Sequence, residues 1–137
     1  MKSIHIITVS DGKLKPLILT LKSIDNQSFK NFKNFVISKK KITNIENKYK
    51  SKKRFFIHKE NSSIYEAMNY GLDKSKSNHL IFLNSGDIFF SNSSLQIVAQ
   101  HIKKNPKKCL MFISVLKNSK NYFIPKKKTF FSKNFLT

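Results

Sequence analysis

Short β-branched runs alternate along this chain with stretches whose apolar residues recur at helical spacing. "SIHIITV", Ser3 to Val9, is a run of the first kind, ended by "SDG", and predicts a buried strand followed by a turn. Beyond it Leu14, Leu17, Ile18, Leu21 and Ile24 recur on one helical face, with Pro16 tolerable in the first turn. "NFVIS", Asn34 to Ser38, predicts a second strand, and "RFFIH", Arg54 to His58, a third; the lysine-rich stretch between them, Lys39 to Lys53, carries only a weak helical pattern. From Ile64 onward Ala67, Met68, Gly71 and Leu72 make one face of a helix, and "HLIFL", His79 to Leu83, predicts a fourth strand. "SSLQIVAQHIKKNP" opens on serines that can cap a helix, sets Leu95, Val98, Ala99 and Ile102 on one stripe and ends at Pro106. "CLMFISVL", Cys109 to Leu116, predicts a fifth strand.

Strands alternating with helices at this spacing imply an α/β fold, a mostly parallel sheet covered by helices on both faces. A chain of 137 residues encloses one core, so residues 1–137 read as a single domain. An apolar fraction of 39%, with 13 Phe, suffices for a packed interior and excludes a disordered tail. In open sheets of this kind the ligand crevice lies beyond the carboxyl ends of the strands. The segments to search are therefore "SDG", "SKKK" and "NSGD", which follow strands one, two and four.

Charge changes this picture less than its size suggests. A net charge of +20 favours polyanions through counterion release. Yet Arg54 is the only arginine, although Arg is the side chain best suited to bidentate phosphate and guanine contacts, and the lysines are scattered through every segment. The pattern is that of a solvated lysine surface with no specific nucleic-acid site, and it also suits contact with an anionic membrane. Lys39, Lys40 and Lys41 could pair with phosphates, acidic lipid or RNA. The single cysteine, Cys109, excludes an internal disulfide and reads as a small core residue. "MKSIHIITVSDG" is no signal peptide, and no run reaches the roughly 20 apolar residues of a membrane span. The expected location is cytoplasmic, with the lysines able to rest peripherally on the inner membrane face.

Candidate chemistry centres on Asp87, in a chain with only 7 Asp and Glu against 27 Lys and Arg. It stands just past the end of the fourth predicted strand, solvated enough to stay ionised and close enough to the crevice to hold a cation. A hard ion such as Mg²⁺ takes oxygen ligands and commonly only one or two from the protein, with substrate phosphate supplying others. On spacing alone, Asn84, Ser85, Gly86 and Asp87 read as a plain turn ahead of a cation site, since all four are turn residues.

Three features together resemble the family 2 glycosyltransferases, enzymes with the GT-A nucleotide-sugar fold. "IHIITVS" with its helix and "LKSIDNQSFKNFKNFVIS" is similar to the family's opening strand, its Ser-Ile-x-x-Gln-Ser helix end and its second strand. "SIYEAMNYGLDKSKSNHLIFLNSGD" resembles the family's Gly-Ile-Tyr-Asp-Ala-Met-Asn-x-Gly helix leading into Leu-Asn-Ser-Gly-Asp, and the order and separation of the two also match. The resemblance covers roughly residues 3 to 116. It implies a nucleotide-sugar donor, a glycan or lipid-linked acceptor, inverting transfer in cell-surface polysaccharide assembly, and Mg²⁺ or Mn²⁺ held by Asp87. It also implies that Thr8, Val9 and Ser10 line the nucleotide base, that Asn84, Ser85 and Gly86 complete the metal turn, and that Asn69 faces the ligand or a neighbouring loop.

The chain departs from the family at several positions. Ser85 stands where many members carry the first metal-motif acid, and Ser38 replaces the acid that recognises the base, with lysines filling that loop. Asn61 and Ser63 stand where the family has an acid and a glycine. Beyond Leu116 the family continues into an acceptor-binding part that carries the catalytic base, so the expected fold is incomplete at the carboxyl terminus and the expected activity impaired. Inverting transfer needs a base to take the acceptor's proton. Neither Glu66, which falls where the family has Asp, nor the surface charges Asp25, Glu46 and Asp73 is a persuasive one, and His58 and His101 read as structural or exposed. The competing readings are a noncatalytic nucleotide-sugar-binding remnant and a basic nucleic-acid or membrane-surface protein.

Overall fold

The structure, a computed structural model, describes residues 3–105 and the backbone of Leu116–Asn118 and Asn121–Phe123. The elements run β1 (Ile4–Ser10), α1 (Leu14–Asp25), β2 (Phe32–Ser38), α2 (Thr43–Tyr49), β3 (Arg54–His58), α3 (Ile64–Ser75), β4 (Leu80–Phe82), α4 (Ser94–Lys104), β5 (Leu116–Asn118) and β6 (Asn121–Phe123). Two compact units result, Met1–Ile97 and Val98–Thr137.

In the first unit four strands form one sheet in the order β3-β2-β1-β4, every pair parallel. This is the expected sheet, and its two faces are sorted by residue parity. Ile7, Val9, Phe35 and Ile37 meet Ala67 of α3 on one face. Val36 meets Leu17 and Leu21 of α1 and Ile42 and Ile45 at α2 on the other. Helices therefore cover both faces, as a parallel sheet requires to bury its apolar runs.

In the second unit β5 and β6 pair antiparallel, with Leu116 opposite Phe123. The remaining residues of the predicted strand Cys109 to Leu116, Cys109 itself included, lie outside the described residues. Along α4 the buried residues are Leu95, Val98, Ala99 and Ile102, the stripe that the spacing predicts.

Two helices differ from expectation for identifiable reasons. On α3 the buried line is Ala67, Gly71 and Ser75, whereas Leu72 is exposed. Residues four apart stack along the helix, and the small ones let α3 lie close against Ile7 of β1. α2 forms within the weakly patterned lysine stretch but buries only Ile45, which explains the faint signal. Asp25 is more than a surface charge. Its two carboxylate oxygens receive the Arg54 guanidinium at 2.8 and 3.3 Å, while Arg54 Nε donates to Asn34 Oδ1 at 2.9 Å and Asn34 Nδ2 donates to Thr8 Oγ1 at 3.1 Å. A bidentate pair of this kind lets the one arginine be buried between β2 and α1 without an unpaired charge.

Candidate functional site

Sheet register brings the ends of the strands level. Ser10 stands opposite Ser38, and Ser38 opposite His58, so the carboxyl edges of β1, β2 and β3 present three polar side chains in a row. On the far side of β1 the ladder runs beyond β4: the Leu83 N–H donates to the Ile7 carbonyl at 3.0 Å and the Ser85 N–H to the Val9 carbonyl at 2.9 Å. Val9, Ser10, Ser38 and the Asn84–Asp87 segment therefore share one edge. The Lys39 N–H, donating to the Ser10 carbonyl at 3.1 Å, ties the lysine loop to the same place. A Cβ built on Gly12 would come within 2.8 Å of Lys40 Cβ, so the loops after β1 and β2 are in contact.

Asn84 to Asp87 form a turn closed by the Asp87 N–H donating to the Asn84 carbonyl at 2.9 Å. Its third residue, Gly86, has φ of +100°, the left-handed region that a type II turn demands there and glycine fills without strain. Asp87 is exposed at the edge. The Asn84 Oδ1 and Ser85 Oγ atoms beside it are buried and have no hydrogen-bond partner. Buried oxygens of this kind are rarely left unsatisfied. The exposed Asp87 carboxylate is a hard oxygen donor of the kind that suits Mg²⁺ or Mn²⁺ completed by phosphate oxygens, and does not suit a soft metal. Among the described residues there is no group of three or more His, Cys, Asp or Glu that could hold a metal without such help.

The other expected site residues divide. Ser10 Oγ accepts from the Gly12 N–H at 3.1 Å and so shapes the turn after β1. Ser38 Oγ donates to the Lys40 carbonyl at 2.8 Å, which holds the lysine loop against the strand end. A cavity of about 200 Å³ opens beside it, lined among others by Ser38, Lys40, Lys41, Thr43, Glu46 and His58. Thr8 lies one step deeper, fully buried, its hydroxyl occupied by Asn34. Asn69 is exposed on α3 and faces a separate groove with Glu60, Asn61, Glu66, Tyr70 and Asp73. No hydrogen bond joins it to the turn. Glu66, at the position weighed for a base, caps α3: its carboxylate accepts from the Ser63 N–H at 2.6 Å while Ser63 Oγ accepts from the Glu66 N–H at 3.2 Å. That backbone hydrogen bond holds the Glu66 carboxyl below its ordinary value.

Residues that pattern reading passes over hold the turn from below. Thr20, fully buried in α1, accepts from the Gly86 N–H at 2.9 Å and donates to the Asp87 carbonyl at 2.8 Å. Three residues on, Ser23 Oγ accepts from the Phe89 N–H at 2.8 Å. Gln27 Nε2 donates to the Ser91 carbonyl at 2.8 Å, and the Ser28 N–H to the Asn92 carbonyl at 2.8 Å. The one sequence signal for this strap is the Ser-Ile-x-x-Gln-Ser helix end, which contains Ser23, Gln27 and Ser28.

Known proteins share the fold. The solved structure of S. aureus TarS 1-349 in complex with UDP superimposes with a TM-score of 0.68 at 19% identity, over 76% of this chain and 33% of that one. A structure of S. aureus TarS gives 0.67 at 19% identity, over 92% of this chain and 23% of that one. These likenesses identify the fold as GT-A. An uncharacterized glycosyltransferase of Rickettsia bellii (strain RML369-C) is 33% identical over 92 residues, which make up 64% of this chain and 13% of that protein. The chain thus spans a third or less of the relatives it matches. The family described as Glycosyl transferase family 2 matches residues 3–137, the whole sheet and its turn included, and the chain belongs to that family.

Proposed function

We propose that these residues form the donor-binding part of an inverting glycosyltransferase, one that moves a sugar from a nucleotide-sugar to a glycan or lipid-linked acceptor in cell-surface polysaccharide synthesis. The observation that carries the reading is the gathering of Val9, Ser10, Ser38 and the Asn84–Asp87 turn at one carboxyl edge, with unpartnered oxygens beside the single carboxylate. In this reading Asp87 holds Mg²⁺ or Mn²⁺ against the donor diphosphate. Such a cation, when bound, offsets the charge that develops on the departing nucleoside diphosphate.

The chain's own residues supply position. β1 and the turn fix the floor of the crevice, and the lysine loop, held by Ser38 and Ser10, brings cationic side chains to the edge where an anion would lie. Proton removal from the acceptor is not assigned to the acids weighed for it. Asp25 is committed to Arg54 and Glu66 to the α3 cap. A cytoplasmic setting with peripheral attachment to the inner membrane face suits a lipid-linked acceptor and a +20 chain. No helix among the described residues is long and apolar enough to cross a membrane.

Calorimetric titration of the chain with UDP, GDP and their sugars, with Mn²⁺ and with a chelator, tests the reading. Binding that needs the divalent ion is expected. Absence of any nucleotide binding by the folded chain would overturn it.

A further inference from the structure

We infer that Thr20 is the positioning residue of the metal turn, acting on Asp87 through the backbone without reaching the ligand. The inference rests on the reading of Asp87 as the metal-holding carboxylate. Thr20 lies in the middle of α1, fully buried, with Leu17, Leu21 and Ile24 of the same helix buried around it. A threonine there gives no helix-forming advantage, and its hydroxyl would be costly if unused.

It is fully used. The hydroxyl hydrogen goes to the Asp87 carbonyl at 2.8 Å; the Asn84 and Pro16 carbonyls also lie within reach, at 3.3 Å, but one hydroxyl has only one hydrogen to give. A lone pair of the same oxygen takes the Gly86 N–H at 2.9 Å. One atom therefore pins the peptide before Gly86 and the peptide after Asp87. Between those two points lies Gly86, with its positive φ and no side chain to restrict it. Without the clamp the turn keeps its Asn84–Asp87 closure and the Ser85–Val9 bond, but the plane of the Asp87 backbone is free to swing. The direction of the carboxylate swings with it. α1 is a hydrogen-bonded helix and the turn is a loop, so the direction of the Asp87 carboxylate is set by the helix.

The test uses the full 137-residue chain. Mn²⁺ affinity with UDP or GDP present is measured by the electron paramagnetic resonance of free Mn²⁺, beside thermal melting without metal. Wild type, Asp87→Asn, Thr20→Val and Thr20→Ser are compared. Valine keeps the shape and removes the hydroxyl; serine keeps the hydroxyl and removes the methyl. Support for an indirect ligand typically changes metal affinity about 10- to 100-fold. A loss of that size is expected in Thr20→Val, with Thr20→Ser close to wild type and Asp87→Asn the weakest. A merely structural threonine would lower the melting temperature of Thr20→Val and leave the Mn²⁺ affinity of the folded protein unchanged, which would overturn the inference alone. Equal loss in Thr20→Ser would also overturn it. Should Thr20→Val not fold, Thr20→Cys, smaller and a much weaker hydrogen-bonding group, carries the same expectation. Wild type that binds no Mn²⁺ with nucleotide, or Asp87→Asn that binds as well as wild type, would remove the reading of Asp87 and this inference with it.

Discussion

Gln27 and Leu95, far apart in sequence, are joined inside the protein: Gln27 Oε1 accepts the Leu95 N–H at 2.9 Å. The same side-chain amide donates to the Ser91 carbonyl at 2.8 Å and reaches the Ser23 carbonyl at 3.3 Å. A single glutamine just past α1 thus satisfies one of the free N–H groups at the start of α4 and closes the loop that leads to it. Gln27 is 1% exposed, so water cannot replace these bonds. Replacing it with leucine should cost about 2 to 4 kcal/mol, from two buried backbone groups left without partners. Urea unfolding measures it; a change below about 1 kcal/mol, the scale of one ordinary hydrogen bond, would show that the strap is dispensable.

Asp87→Asn should weaken divalent-dependent nucleotide binding while leaving stability nearly unchanged, because the amide keeps the shape and removes the charge at an exposed position. Affinity equal to wild type, or unaffected by chelator, would end the metal assignment.

Gly71→Ala should destabilise by about 1–3 kcal/mol, although alanine is the better helix former. The new Cβ would lie 2.6 Å from Ile7 Cγ2, and both the strand and the helix resist displacement. In the double variant Gly71→Ala/Ile7→Ala, whose residue 7 lacks the Cγ2 atom, the two losses should be less than additive in thermal denaturation.

His5 sets a pH dependence remote from the site. Burial, with the nearby Lys33 charge as a second cause, lowers its pKa below the ordinary 6.5. The folded state therefore binds the proton less readily than the unfolded state does. The contribution to stability is complete above 6.5 and is lost as pH falls from there toward the folded value. Denaturation midpoints should drop as pH falls below 6.5, and His5→Gln should flatten that drop. An unchanged slope in the variant would assign the dependence to other groups.

The 137 residues alone should release nucleoside diphosphate slowly, if at all, and with little dependence on acceptor. Asp25 and Glu66, two acids weighed as the general base, are already engaged. Loss of a general base typically costs about 10²- to 10⁴-fold in rate. Robust acceptor-dependent release from a panel of nucleotide sugars would contradict this.

Local pattern carried most of the sheet. Arg54–His58 forms as the β-rich run predicts, and β1 and β2 shift by a residue or two at their ends. β4 is assigned only Leu80–Phe82 because its ladder continues through isolated bonds from Leu83 and Ser85 where the chain begins to turn. Leu72 was misread because hydrophobicity was counted where closeness of packing governed, and the small residues Ala67, Gly71 and Ser75 carry the contact. The Asn84–Asp87 turn was legible from its turn residues, whereas its bonds to Thr20 were not. The partners of Thr20 lie 66 and 67 positions away, and no local periodicity marks a hydroxyl that faces a distant loop.

The strand order β3-β2-β1-β4 has a kinetic consequence. β1, β2 and β3 follow one another and pair as neighbours, so as the chain leaves the ribosome these parallel units close loops of modest length. β4 must return across the finished ribbon to pair with β1, bringing Leu80 beside His5. Among the described residues, the turn that carries Asp87 is held by that last, most non-local pairing and by α1. A chain interrupted before β4 can keep most of the sheet and lack the Asn84–Asp87 turn, so the ordering of that turn reports completed folding more faithfully than secondary-structure content does.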